Sequence, residues 1–167
     1  MAFGDTPSGG QRFAVDRMLG RLARWLRVLG HDVAYGPRLG GRELVACARR
    51  EGRMVLTRDT RLCRDAAPPH LLVASDDFRE QLREVAAAVP LGPARLLARC
   101  LDCNSMLEDV ERAAAERRVP PFVWSTHDRF LRCPRCDRFY WPATHRASML
   151  RELAGLGLAD GATDERC

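Results

Sequence analysis

The sequence contains no lysine, and all 27 basic residues among its 167 are arginine. Schiff-base and lysine-base chemistry are therefore excluded. Every basic side chain other than histidine is a permanently charged planar fork suited to gripping phosphate. The exclusive use of arginine reads as a coding bias of the source genome. The sequence also lacks any apolar run near the roughly 20 residues that span a bilayer. Met1 to Gly10 holds no hydrophobic region of signal-peptide type. These absences point to a soluble, cytoplasmic protein. Aromatic residues make up only 7% of the chain, so where they fall is informative.

Against the arginines stand 22 acidic residues, a formal net charge of +5. That balance suits a polyanionic partner without demanding one. At 46% hydrophobic content the chain can bury one core and carry a small satellite module. The expected division is residues 12–90 and 91–153, with 1–11 and 154–167 read as disordered tails because they are rich in Gly, Ser and acidic residues.

Seven cysteines without a signal peptide argue against a secreted disulfide framework. Spacing assigns four of them. Cys100-Leu-Asp-Cys103 and Cys133-Pro-Arg-Cys136 each put two thiolates on a tight turn, so that both pairs can point at one zinc ion. Four cysteines leave no open coordination position, which makes this metal structural and not catalytic. Four thiolates and a dication would lower the net charge by two. The intervening spacer can be looped out, because closure entropy rises slowly with length. Cys47 and Cys63 sit in apolar contexts as ordinary buried thiols, and Cys167 ends the chain. His127 and His145 could replace a cysteine, but the set is already complete.

From Phe13 to about Val89, short apolar runs alternate with amphipathic helical patterns, as in an α/β unit with a mainly parallel sheet. Strands are expected at Phe13–Val15, Asp32–Tyr35, Met54–Thr57 and Leu71–Ala74. Met18, Leu22, Trp25, Leu26 and Leu29 follow a helical period that Gly30 stops. Further helices should run from Arg42 to Arg50, ending at Gly52, and from Phe78 to Ala88. Pro90, Gly92 and Pro93 then break the pattern. Arg17, Arg21, Arg24 and Arg27 cluster on the side of the first helix away from its apolar face, either as an RNA-facing stripe or as a solvated face.

Acidic residues recur where strands end: Asp16, Asp59, and the pair Asp76 and Asp77. In an open parallel sheet the carboxyl ends of the strands line the ligand crevice. Carboxylates converging there need cations, and hard Mg²⁺ or Mn²⁺ prefers oxygen ligands. Glu43, one turn into the second helix, could join them. The competing reading is helix capping, for which Asp is favoured. Asp77 with Glu80 fits a capping box, leaving Asp76 as the ligand of that pair.

Together these residues resemble the Mut-seven-C RNase domain family, in which a PIN-like nuclease core precedes a zinc ribbon. The resemblance is carried by Val15 to Gly30 (VDRMLGRLARWLRVLG), Leu56-Thr57-Arg58-Asp59, and Ser75-Asp76-Asp77 with Gln81-Leu82. The ribbon adds Cys100-Leu-Asp-Cys103-Asn104, Cys133-Pro-Arg-Cys136, Phe139-Tyr140-Trp141 and Thr144-His145. It covers about Phe13 to Leu153. It implies metal-dependent RNA cleavage by Asp16, Asp59 and Asp76 or Asp77. Where the family often has an acid at the start of the second helix, this chain reads Gly40-Gly41-Arg42-Glu43, so only Glu43 can fill that role. Arg146 stands where the family usually shows an aromatic.

Six aromatics, Phe122, Trp124, Phe130, Phe139, Tyr140 and Trp141, fall within twenty residues around the second C-x-x-C. They are either the small module's core or a base-stacking platform flanked by Arg129, Arg132, Arg135 and Arg138. The expected activity is an Mg- or Mn-dependent endoribonuclease with Arg135 and Arg138 helping to hold RNA. The alternatives are a non-catalytic RNA- or ribosome-binding adaptor and a protein-interaction module.

Overall fold

The structure, a computed structural model, describes residues 10–62, 68–92, 95–142 and 144–158. Expectations for Cys63, Cys167, the side chain of His145 and the tails at 1–9 and 159–167 lie outside the described residues. The chain divides into two compact units, Met1–Leu97 and Ala98–Cys167. The division falls after the Pro90–Pro93 break because the segment beyond it is bonded to the first unit. Arg95 and Leu97 donate their amides to the carbonyls of Leu29 and Val28. No helix among the described residues is long and apolar enough to cross a membrane.

The first unit is built on a parallel sheet in the order β2-β1-β3-β4, from β1 (Arg12–Val15), β2 (Asp32–Ala34), β3 (Met54–Thr57) and β4 (His70–Leu72). Three helices flank it: α1 (Gly20–Val28), α2 (Gly41–Glu51) and α3 (Phe78–Ala88). This is the expected α/β architecture. Phe13, Ala14 and Val15 are all fully buried, as a central strand covered on both faces requires. Ala14 and Val55 pack with Leu44 and Ala48 of α2, and strand alternation turns Phe13 and Val15 the other way. Gly52, with φ +61°, ends α2 in the left-handed conformation that glycine adopts without steric penalty.

Two local departures have physical causes. Arg17–Leu19 is a 3-10 turn ahead of α1, so the α-helical period does not extend back to Met18. Met18 is 65% exposed, and Leu19 is buried in its place. Strand β4 stops at Leu72 although Val73 still donates to the Thr57 carbonyl. The amides of Ala74 and Ser75 turn instead to the Glu84 carboxylate.

The first unit closes tightly behind α1. Gly30 has φ +91°, and a Cβ there would come within 2.3 Å of the Arg95 carbonyl oxygen. At the amino ends of the strands, Arg53 is buried and donates to both carboxylate oxygens of Asp32, to the Asp32 and Phe13 carbonyls and to Glu51. That concentration of charge-assisted bonds holds the Glu51 carboxyl down at about 2, chiefly through Arg53 and then Arg50.

The second unit holds a three-stranded antiparallel sheet of β5 (Glu108–Val110), β6 (Phe130–Arg132) and β7 (Phe139–Tyr140). Two short helices, α4 (Arg112–Ala115) and α5 (Pro121–Thr126), fill the loop between β5 and β6, and α6 (Thr144–Gly155) follows β7. The core is small: Ala115, Val119, Phe130 and Phe139, with Trp124 and Trp141 packed against it.

Candidate active site and metal centre

The four cysteines meet as expected. They are the one group of three or more His, Cys, Asp or Glu side chains, among the described residues, placed to hold a metal ion, and all their sulfurs lie within 4.8 Å of one another. Zn–S bonds of about 2.3 Å in a tetrahedron imply sulfurs roughly 3.8 Å apart. Cys100 Sγ and Cys136 Sγ are 3.7 Å apart.

Two copies of one turn build this cluster. The Cys100 amide donates to the Ser105 carbonyl, and the Asn104 amide donates back to the Cys100 carbonyl. Cys133 and Arg138, with Asp137, repeat the pattern. The fifth residue of each turn is left-handed, Asn104 at φ +67° and Asp137 at φ +60°, residue types that tolerate that region. The first turn is closed by the Arg99–Met106 bridge and the second joins β6 to β7. His127 is not part of the cluster.

The electrostatics of the turns suit a cation. Burial opposes ionisation of Cys100, yet hydrogen bonds from the Tyr140 hydroxyl and from the amides of Cys103 and Asp102 bring it down to about 7. Burial, then the neighbouring Cys136 and Cys100, pushes Cys103 up to about 12. Burial likewise raises Cys133. Four thiolates can coexist here only around a bound dication, so the donor set fits zinc. Burial and the bond to Cys100 raise the Tyr140 hydroxyl as well. Its oxygen also accepts from the Leu101 amide.

The strand-end acids behave differently. Asp16 is 4% exposed, accepts a 2.7 Å hydrogen bond from the Thr57 hydroxyl, and has no ion pair among the described residues. It starts the 3-10 turn without capping it through its side chain. The same Thr57 oxygen accepts from the Asp59 amide at 3.0 Å. One hydroxyl thus ties together the carboxyl ends of β1 and β3, the two central strands. The Cβ position of Gly40 lies 3.6 Å from Asp16 Oδ1. Asp16 therefore lies against the amino end of α2, in whose first turn Glu43 sits exposed.

The other acids are committed elsewhere. Asp59 accepts from the Arg61 amide and pairs with its guanidinium. Asp76 is 85% exposed at its side chain and ion-paired with Arg58. Asp77 caps α3, accepting from the amides of Arg79 and Glu80. Only half a capping box forms, because the Asp77 amide bonds Ser75 and Glu80 pairs with Arg83. Among the described residues the strand-end carboxylates form no group of three comparable to the cysteines.

Two of the arginines expected to hold RNA are engaged within the protein. Arg27 does not face RNA: it is 3% exposed, and its Nε and Nη2 both donate to the Val33 carbonyl. The helical period places it near the stripe, but the strand that follows α1 captures it. Arg138 is paired with Asp102, joining the two cysteine turns. Arg17, Arg21, Arg24 and Arg135 are exposed. Of the six ribbon aromatics, Phe130, Phe139, Trp124 and Trp141 serve the core and Tyr140 the cysteines, leaving Phe122 76% exposed.

The order of these parts, a parallel sheet carrying strand-end acids followed by paired cysteine turns, matches a known family. The sequence model of the Mut7-C RNAse domain matches residues 11–153. The chain belongs to that family. No curated protein and no solved structure gives a significant match. The Mut7-C span takes in every strand of both sheets and all four cysteines, and the family carries a nuclease-like or RNA-related role. Within the Mut7-C chain, Thr57, Arg58 and Tyr140 organise the two sites. Thr57 lies in the Leu56-Thr57-Arg58-Asp59 segment that resembles the family, but its hydroxyl's role carried no signal of its own beyond a polar residue ending an apolar strand next to an acid.

Proposed function

We propose that the protein is a metal-dependent ribonuclease, a PIN-like hydrolase whose reaction centre is the Asp16 strand end and whose cysteine cluster is structural. The observation that carries this reading is Asp16 itself. A carboxylate only 4% exposed, held by one hydroxyl and without an ion pair among the described residues, is costly to keep charged unless a cation joins it. Its place, at the carboxyl ends of the two central parallel strands, is where such sheets bind ligands.

The donor set fits a hard cation that takes one or two carboxylates and completes its shell with water and substrate phosphate, as Mg²⁺ does. The Thr57 hydroxyl bonds the Asp16 carboxylate and the backbone amide of Asp59, which makes Asp16 and Asp59 the candidate carboxylates, with Glu43 in the first turn of α2 as a further one. When bound, Mg²⁺ or Mn²⁺ supplies charge neutralisation at the scissile phosphate and activation of water. Thr57 fixes the rotamer of Asp16 and the start of the turn bearing Asp59. Asp77 is spent on capping α3, so Asp76 is the acid of that pair available to a ligand, after release from Arg58.

The commitments of Asp59 and Asp77 to backbone amides also favour a second reading, an RNA-binding adaptor without catalysis. Incubating the zinc-loaded chain with labelled single-stranded and structured RNA, in Mn²⁺ or in EDTA, separates the two. Cleavage in Mn²⁺ that is lost in EDTA and in the Asp16→Asn/Asp59→Asn variant is the expected result. RNA bound and never cut establishes the adaptor.

A further inference from the structure

The net charge is confined to one unit. Met1–Leu97 holds sixteen arginines against eleven acidic residues, a formal +5, whereas Ala98–Cys167 holds eleven of each and is formally neutral. Zinc held by four thiolates would take the second unit to −2. A polyanion is drawn by excess charge, and the ribbon has none to offer.

Both units pair some of their arginines with acids, and Arg117 and Arg135 of the ribbon have no carboxylate partner among the described residues, but the first unit holds a larger unpaired set close in sequence to Asp16. In the ribbon, Arg112, Arg118, Arg129, Arg132 and Arg138 each meet a carboxylate, on Asp128, Asp137, Asp109, Asp137 and Asp102. In the first unit, Arg17, Arg21, Arg24, Arg38 and Arg42 are all exposed, and none has a carboxylate partner among the described residues.

Three of the five, Arg17, Arg38 and Arg42, belong to the segments that meet at the Asp16 strand end, and Arg21 and Arg24 follow on α1. Arg17 follows Asp16 directly, its amide donates to the Leu39 carbonyl, and its Cδ lies 3.5 Å from the Cβ position of Gly40. It is thereby set against the segment that carries Arg38 and leads into Arg42. Arg21 lies on α1 with its guanidinium carbon 3.8 Å from the centroid of the Phe78 ring, which orders the fork without neutralising it. Arg24 follows about one helical turn later. Met18, exposed between Arg17 and Arg21, offers an apolar contact for a base.

We infer that RNA is gripped by this arginine collar around Asp16 in the first unit, and that the zinc ribbon contributes no phosphate contacts. The inference takes the ligand's identity from the ribonuclease reading and adds where the ligand is held. Phosphates bound along the collar enter beside the buried acid, which couples binding to the reaction centre.

The test measures affinity of the full zinc-loaded chain for a fluorescent single-stranded oligoribonucleotide in EDTA, across a salt series. Each phosphate contact on a single strand contributes about −0.7 to the slope of log K against log salt. Arg17→Gln/Arg21→Gln/Arg24→Gln should flatten that slope by about 2 and weaken binding about a hundredfold at 0.1 M salt. Arg117→Gln/Arg129→Gln/Arg135→Gln removes the same number of arginines from the ribbon and should leave the slope unchanged. Because Arg21 packs on Phe78, the double variant Arg17→Gln/Arg24→Gln serves as a second probe, with circular dichroism verifying its fold, and should flatten the slope by about 1.4. Equal losses from the two triple variants, a loss confined to the ribbon variant, or no salt-dependent binding by the parent chain would overturn the inference. Binding is read in EDTA, so a failure of catalysis alone leaves this result intact and identifies the ribonuclease reading as the part that fell.

Discussion

The two units of this chain handle charge in opposite ways. The first buries a carboxylate, Asp16, against a single hydroxyl and leaves arginines around it unpaired. The second pairs five of its arginines with acids and gathers four thiols that together call for one cation. The difference shows in what each needs in order to fold. The first unit has a parallel sheet whose central strands β1 and β3 are largely buried and an apolar core from Phe13 to Val85. The second has, among the described residues, a small apolar cluster around Phe130 and Phe139, with Leu153 and Leu158 also buried, and two cysteine turns, little apolar area to hold such a module unaided. On the proposed reading, metal in the ribbon would be a folding requirement and metal in the first unit a chemical one.

Zinc removal should break this comparison most sharply. Structural zinc contributes on the order of 10 kcal/mol in small modules. Chelation, or Cys133→Ser, should collapse the ribbon's amide resonances in a nuclear magnetic resonance spectrum while those of β1 to β4 persist. Loss of both sets at once would show that the units do not fold independently.

The next effect is smaller and confined to the first unit. Thr57→Val keeps the shape but removes the hydroxyl from Asp16 and Asp59. By analogy with groups that orient metal ligands, it should lower Mn²⁺ affinity or cleavage about 10- to 100-fold. Thr57→Ser should restore the half-saturating Mn²⁺ concentration, whereas a purely structural role would leave that concentration unmoved. Zinc content should stay at one per chain in both variants.

How much of this was legible beforehand follows from chemistry. C-x-x-C spacing encodes its own geometry, because two residues set both thiols on one turn, so the ribbon's metal ligands could be read outright. The Phe78–Ala88 helix could be read as well, since Asp77 caps it by a local bond. Long-range captures could not be read. Arg27 sits at helical spacing with exposed arginines, yet the Val33 carbonyl claims it. Met18 continues the apolar period, yet a 3-10 turn points it to solvent. The bond between Thr57 and Asp16 spans residues 41 apart in sequence and depends on two strands being neighbours in the sheet.

The smallest expected effect concerns acid. Arg53 and Arg50 hold the Glu51 carboxyl at about 2 against an ordinary 4.5. A depressed carboxyl contributes stability that is fully present above its unfolded pKa and lost as pH falls through the folded one. Urea melts of the first unit's signals should therefore lose stability between about pH 4.5 and 2 in the parent chain. Glu51→Gln should flatten that dependence. An unchanged profile would mean that Arg53 is held by Asp32 alone.

The claim on which the account turns is that reactive metal binds at Asp16 and not at the cysteines. Isothermal titration of Mn²⁺ into the zinc-loaded chain, beside its Asp16→Asn variant, tests it directly. The account predicts Mn²⁺ binding by the parent, its loss in Asp16→Asn, and one zinc per chain in both. Undiminished Mn²⁺ binding by Asp16→Asn would contradict it.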